Sequence, residues 1–443
     1  MPDLVSGDDS QAKVTAWIER ELGPILKIER QGRWRPAWFV TAKVDGRPLE
    51  LYVRGGRGGG WPPMPLAYEA RVQKLFEEQG IKVAHVYGFI EDVPAIVMAR
   101  IPGRPNMATA ASDADRASLR EQLADQMRKI HEIDPALVEA AGSPSTTDPR
   151  ELTLNHYRQL EKLYLTGDRL PAPDMEFARR WIDRNAPPCT EGPSVITMDA
   201  GQFIFEGDEL TAMMDFELVG VGDRHVDFAA LTTRNRFELI GDLEEFYDLY
   251  HRRGGPQLDR KRIQFHRVGF EMATPLQIAH ELAHPESTGE YFEYVWWHIL
   301  SMNSVLNEIA ANMGVTLPPH APPESGETSS GLLLQALTRV VDSLPASEDP
   351  YVKFRLFNLG LAVKFLAGYE ARRSAFEAQY LRDVEGLTGR RAVDAWDADV
   401  QLQAFVQTAG PEFDLPLLHI LHRRSAVSFD VIQGVYNRRR LSA

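Results

Sequence analysis

The stretch that decides the fold runs from Val195 to Leu231 and reads VITMDAGQFIFEGDELTAMMDFELVGVGDRHVDFAAL. An apolar, β-rich run, Val195–Ile204, gives way to Glu206-Gly207-Asp208, which has the composition of a turn. A second apolar segment, Leu210–Met214, follows. The pattern predicts a hairpin with Asp199 before one arm and Asp215 at the end of the other. Two carboxylates then share one rim. Such a pair suits phosphoryl transfer, where one acid orients a hydroxyl and takes its proton and the other holds Mg²⁺. Aspartates flanking a hairpin also serve as turn caps, so spacing alone leaves both uses open.

Upstream, residues 12–100 read as a small mixed domain. Ala12 to Leu22 has helical periodicity, and Ile25–Glu29, Trp38–Val44 and Leu49–Arg54 are strand-like. Asp45-Gly46 between the last two is a strong hairpin signal. A glycine-rich run, Gly55 to Gly60, precedes a helix from Leu66 to Gln79 and two strands, Val83–Phe89 and Ala95–Ala99. The glycine run lacks the Lys-Ser/Thr of a P-loop and the spacing of a dinucleotide fingerprint, so it reads as a flexible connection.

From residue 101 to 316 the pattern is mostly helical around the quoted hairpin. Leu119, Leu123, Met127 and Ile130 define an amphipathic helix ending near His131, residues 151–184 supply two more helices, and helices resume at Phe228. Residues 317–330 are rich in Pro, Ser and Gly and read as a linker. Leu333, Leu337, Val340 and Val341 open a helical extension, 331–443, which reads as a packed layer or a homodimer contact.

Composition narrows the classes. The 443 residues carry 63 acidic against 49 basic side chains, a net charge of −14. That excess argues against nucleic acid as the partner, since phosphate backbones need clustered cations. Cys189 is the single cysteine, which excludes an intrachain disulfide framework and points to a reducing cytoplasm. No run of eighteen apolar residues occurs, so no membrane partner is expected. Met1 to Ser10 shows no basic region followed by an apolar stretch, so no signal peptide is expected. No GxSxG elbow and no HExxH pair appears.

Several ordered motifs together resemble the aminoglycoside-phosphotransferase and choline-kinase-like family, a branch of the protein-kinase-like fold. The flavour is that of the kinase domains related to those fused to some acyl-CoA dehydrogenases. The motifs are Thr197-Met198-Asp199 with Gln202, then Asp215-Phe216-Glu217, then Gly222-Asp223 with Asp227. Met127 to Pro135, Tyr68-Glu69-Ala70 and Met98 to Gly103 match the segments that precede, flank and hinge such a site. The resemblance covers about residues 12–315. It implies an α+β, bilobal protein-kinase-like fold, with a β-rich N-lobe that binds nucleotide and a helical C-lobe that carries catalysis and acceptor binding, to which the apolar periodicity after residue 330 adds the helical extension.

The same resemblance implies roles. Asp199 would be the catalytic base, Asp215 the principal Mg²⁺ ligand and Gln202 a second ligand. Arg54 would pair with phosphate and Glu69 with Arg54, while Met98 and Arg100 would lie along the nucleotide. The apolar positions Val72 and Phe76, three and seven residues after Glu69, independently put this carboxylate on a buried face, where it needs a partner. The turn covering the nucleotide would be Gln31-Gly32-Arg33. The cofactors implied are ATP and Mg²⁺, and the partner is a small-molecule hydroxyl acceptor, a hydroxyacyl-CoA or hydroxy acid among others. Three positions depart from the family pattern: Thr197 for histidine, Gln202 for asparagine and Arg54 for lysine. They leave a second reading open, a pseudokinase that binds nucleotide or metabolite without transferring phosphate.

Overall fold

The computed structural model describes residues 7–31, 35–56, 64–285, 291–319 and 325–441. Gly32 and Arg33 of the expected covering turn, and the glycine run from Arg57 onward, lie outside these residues. The chain divides into two compact units, residues 1–159 with 187–266 and residues 160–186 with 267–443. The architecture is α+β, with a β-sheet N-terminal region and a helical C-terminal region.

In the first unit, helix α1 (Gly7–Glu21) precedes the sheet strands β1 (Ile25–Arg30), β2 (Ala37–Val44), β3 (Arg47–Gly55), β4 (Val86–Ile90) and β5 (Ala95–Ala99), with α2 (Leu66–Glu78) between β3 and β4. The sheet is antiparallel in the order β1-β2-β3-β5-β4. The β2–β3 turn is made by Asp45 at φ 49° and Gly46 at φ 79°, the left-handed pair that a tight hairpin demands. Alternation then sorts the side chains. Trp38, Val40, Leu51 and Val53 join Val14 and Ile18 of α1 in one core, which removes them from water. Leu66 and Ala70 of α2 pack with Ile96 and Met98 in a second core. Glu69 belongs to the buried stripe of α2.

Helix α3 (Asp113–Glu132) is capped by Ser112, whose hydroxyl accepts the Asp115 amide. After it come α4 (Pro135–Ala141), β6 (Ser194–Ile196), β7 (Phe203–Glu206), β8 (Glu209–Met213), β9 (Gly220–Gly222), α7 (His225–Glu238) and α8 (Leu243–Arg252). The apolar run that reads as one stretch, 195–204, is therefore two strands in different sheets: β6 pairs with β9 and β7 with β8. The reason is local. Met198 (φ 60°) and Gly201 (φ 87°) take left-handed conformations, which turn the backbone out of extension between the strands. A Cβ on Gly201 would come within 2.6 Å of the Leu231 side chain, so space as well as φ favours glycine there.

Helices α5 (Pro149–Thr166) and α9 (Arg260–Ala283) contribute residues to both units. The second unit further holds α6 (Pro173–Asn185), α10 (Tyr291–Asn312), α11 (Ser329–Asp342), α12 (Pro350–Thr388), α13 (Ala395–Thr408) and α14 (Asp414–Leu441). Trp296 of α10, Phe365 of α12 and Ile432 of α14 share its core. Partly buried Arg424 pairs with Asp399 at 2.7 Å and Asp174 at 3.2 Å. Among the described residues no helix is long and apolar enough to cross a membrane.

Candidate active site

The β7–β8 hairpin does bring its flanking acids together. Asp199 leads into β7, Asp215 follows β8, and Gln202 lies between them. The Gln202 side-chain amide donates from Nε2 to Asp199 Oδ2 at 2.7 Å and to Asp215 Oδ2 at 3.2 Å. Its backbone carbonyl accepts the Met214 amide at 3.0 Å, which ties the two loop ends to each other. Both carboxylates keep contact with solvent: the Asp199 side chain is 30% exposed and that of Asp215 is 24%. Asp215 sits at φ 67°, strained for a residue with a Cβ and sustained only by its surroundings.

Asp199 is placed by a buried support. Asp227 near the start of α7 is fully enclosed, and its Oδ2 accepts the Thr197 amide and hydroxyl, both at 3.0 Å. Its Oδ1 accepts the Met198 amide at 2.7 Å. His131, at the end of α3, lies with Nε2 3.2 Å from Asp227 and Nδ1 2.9 Å from the Tyr250 hydroxyl. Thr197, where the family carries histidine, thus serves the loop through a hydroxyl directed at Asp227. Asp223 is held in a similar way: His225 Nδ1 lies at 2.6 Å, His266 Nε2 at 3.1 Å, and Arg262 pairs with it as well. Burial opposes its charge, but His266 and His225 keep its carboxyl well below the usual range.

Arg54 lies next to the end of β3 and its Nη2 meets three carboxylates: Asp215 at 2.5 Å, Glu217 at 3.0 Å and Glu69 of α2 at 3.2 Å. Burial opposes the guanidinium's charge, yet Asp215, Glu69 and Glu217 together raise its pKa. Glu69 is pushed up to about 7, first by burial, against the pull of Arg54. Burial likewise pushes Asp199 up, while Arg234 pulls it back and Asp215 adds to the rise.

Of the seven residues singled out from the sequence, the structure gathers Asp199, Gln202, Asp215, Arg54 and Glu69 into one network. Met98 and Arg100 lie apart from it. Met98 is buried on β5, where its sulfur receives the Gln73 amide at 3.7 Å. Arg100 stacks over the Phe39 ring, 3.9 Å from its centre, and lies 3.6 Å from Glu50.

Two arginines were missed. Arg234 of α7 donates to Asp199 Oδ1 from Nε at 3.0 Å and Nη2 at 2.6 Å, and to Glu238 at 3.0 Å. Arg35, just before β2, donates to Glu217 Oε2 at 2.7 Å. The i, i+4 spacing of Arg234 and Glu238 was a visible signal of a fixed guanidinium, though not of its other partner, Asp199. Arg35 carried no such signal.

Among the described residues no three His, Cys, Asp or Glu side chains converge on a metal-binding position. Mg²⁺ does not need such a cage, because it takes one or two carboxylates and completes its shell with phosphate oxygens and water. Asp215 and the amide of Gln202 fit that demand. Two carboxylate oxygens already converge on one donor, at a partly exposed position.

No curated protein matches the chain. Among solved structures, the choline kinase from Streptococcus pneumoniae is similar at 16% identity and TM-score 0.49, over 67% of this chain and 98% of its own. The macrolide 2′-phosphotransferase from Brachybacterium faecium is similar at 18% identity and TM-score 0.44, over 67% and 98%. Residues 29–266 match the family described as "Phosphotransferase enzyme family", and they span every member of the network above. That match takes in more than half of the sequence, so the chain belongs to the phosphotransferase enzyme family.

Proposed function

We propose that the chain is an ATP- and Mg²⁺-dependent kinase that phosphorylates a hydroxyl of a small metabolite. The observation that carries this reading is the pair Asp199 and Asp215, sixteen positions apart, converging on Gln202 at an accessible rim. Asp199 accepts or orients the acceptor's proton as the acceptor oxygen bonds to the γ-phosphorus and the bond to ADP breaks. A carboxylate offers about four acceptor positions, and Asp199 uses three, two for Arg234 and one for Gln202. One remains for a hydroxyl. Asp215 would hold Mg²⁺, joined by the carbonyl oxygen of Gln202 once its amide turns. Bound there, the metal would neutralise charge on the phosphates. Arg54, already aimed at Asp215, pairs with the phosphates, and Glu69 keeps it on the inner side of β3. Catalysis therefore rests on positioning.

The guanidinium on Asp199 is the observation that favours the pseudokinase alternative, because it engages the base strongly. One experiment separates the two. Phosphoryl transfer is screened by mass spectrometry across hydroxyacyl-CoAs, hydroxy acids, amino alcohols and aminoglycosides. On the acceptor found, Asp199→Asn is expected to lower turnover by about 10²–10⁴-fold while MgATP still binds. Full turnover in that variant refutes the assignment of the base. In the second unit, exposed Leu332, Leu333, Leu337 and Val340 on α11 support a homodimer contact, which sedimentation of the full chain tests.

A further inference from the structure

Arg35 and Glu217 have no part in the reaction as described, yet they form one of the most enclosed ion pairs at the site. Arg35 is 2% exposed, and its Nη2 lies 2.7 Å from Glu217 Oε2. The same oxygen receives Arg54 Nη2 at 3.0 Å. The sheet makes this meeting inevitable. Ala37 of β2 is registered opposite Arg54 of β3, and the Gly55 amide donates to the Pro36 carbonyl at 2.8 Å, so Arg35 stands just past the end of that ladder.

A buried guanidinium is poor value as a mere fastener. Desolvation of the two charges offsets most of their attraction, and an apolar pair would hold the loop as well. Two guanidiniums converging on one carboxylate oxygen are, however, what a phosphate requires: a rigid fork of donors from two directions. The charge count points the same way. Arg35 and Arg54 face three carboxylates, Glu69, Asp215 and Glu217. A divalent cation on Asp215 would turn that excess of negative charge into an excess of positive charge, and phosphate oxygens then compete with Glu217 for both arginines.

We propose that Arg35 is a second phosphate-binding cation, which with Arg54 grips the polyphosphate of the nucleotide while Glu217 competes for the same two guanidiniums. The inference rests on the kinase reading above and adds a residue to it. Arg35 also borders the β1–β2 connection, so a phosphate held by it would be held from the β2 side of the sheet as well as from β3.

The test is calorimetric titration of the full chain with MgATP and, separately, with adenosine. Adenosine lacks the phosphates, so the ratio of the two affinities isolates their contribution. Arg35→Gln is expected to lower that ratio by about tenfold to a hundredfold, the worth of one charge-assisted hydrogen bond. Arg35→Lys, which keeps the charge but not the fork, is expected to lower it less. It also serves as the informative variant if the glutamine form does not fold. A ratio that does not move in a folded variant, or equal weakening of MgATP and adenosine, overturns the inference and leaves the kinase reading standing. Failure of the wild-type chain to bind MgATP at all overturns both.

Discussion

Asp227→Asn changes one atom in the most enclosed part of the site, and its consequence can be worked from the hydrogen bonds. Asp227 Oδ2 accepts from the Thr197 amide, the Thr197 hydroxyl and His131 Nε2, and Oδ1 accepts from the Met198 amide. The asparagine's single oxygen would stay on the side with three donors, which turns its NH₂ toward the Met198 amide. Two donors then face each other, and the Met198 N–H loses its partner at a cost of about 1–3 kcal/mol. The three surviving bonds lose the help of the charge and weaken by roughly half. A total loss of at least about 3 kcal/mol follows. For a unit of this size each kcal/mol lowers the melting midpoint by about 2–4 °C, so a fall of at least about 6 °C is expected. Met198 holds φ 60°, a conformation that costs about 1–3 kcal/mol and that the 2.7 Å bond to Asp227 helps to maintain. Released, residues 197–199 relax and Asp199 loses its aim, so phosphoryl transfer falls with the midpoint. Thermal melting followed by circular dichroism gives the first reading, and hydrogen exchange at the Met198 amide gives the second. An unmoved midpoint together with wild-type protection at Met198 would refute the reasoning.

Other outcomes follow from groups in the same unit. Arg54→Ala removes the guanidinium that pairs with Glu69 and leaves buried carboxylates facing one another; a loss of about 3–5 kcal/mol in unfolding free energy is expected, with Arg54→Lys losing less, and denaturant titration of both variants checks it. His156 is held down to about 3, first by burial and then by His266, whose ring centre is 5.5 Å away. Its folded value lies below the unfolded one, so the unfolded chain takes up the proton first. Stability is therefore lost as pH falls from about 6.5 toward 3, by up to about 1.4 kcal/mol per pH unit. His156→Leu should flatten that part of the melting-midpoint profile, and a slope identical to wild type between pH 4 and 6 would show that another group is responsible.

Much of the fold was legible because it rests on local chemistry. Apolar spacing placed α2 and α3, Asp45-Gly46 placed the β2–β3 hairpin, and Glu206-Gly207-Asp208 placed the turn from β7 to β8. The position of Glu69 between apolar neighbours announced a buried carboxylate in need of a cation. Asp199, between two strand-like runs of Val195–Ile204, marked an interruption. That the chain changes sheets there was not legible: it shows only in the left-handed backbone at Met198 and Gly201 and in the pairing of β6 with β9 and of β7 with β8. Arg234 and Arg35 were overlooked because an arginine's partner is chosen by packing, and nothing in its immediate sequence names it.

The division between the two kinds of information follows sequence separation. The sequence alone determined which residue types stand where: acids flanking a hairpin, a basic residue ending a strand, a carboxylate on an apolar helix face, each set by contacts within one or two turns or across a tight hairpin. Tertiary structure decided who meets whom. Arg54 reaches Asp215 across 161 positions and Arg35 reaches Glu217 across 182. Such meetings depend on the register of β2 against β3 and on how the sheet packs against the β7–β8 hairpin. Those arrangements are set by the burial of whole faces, and no short stretch of sequence contains them.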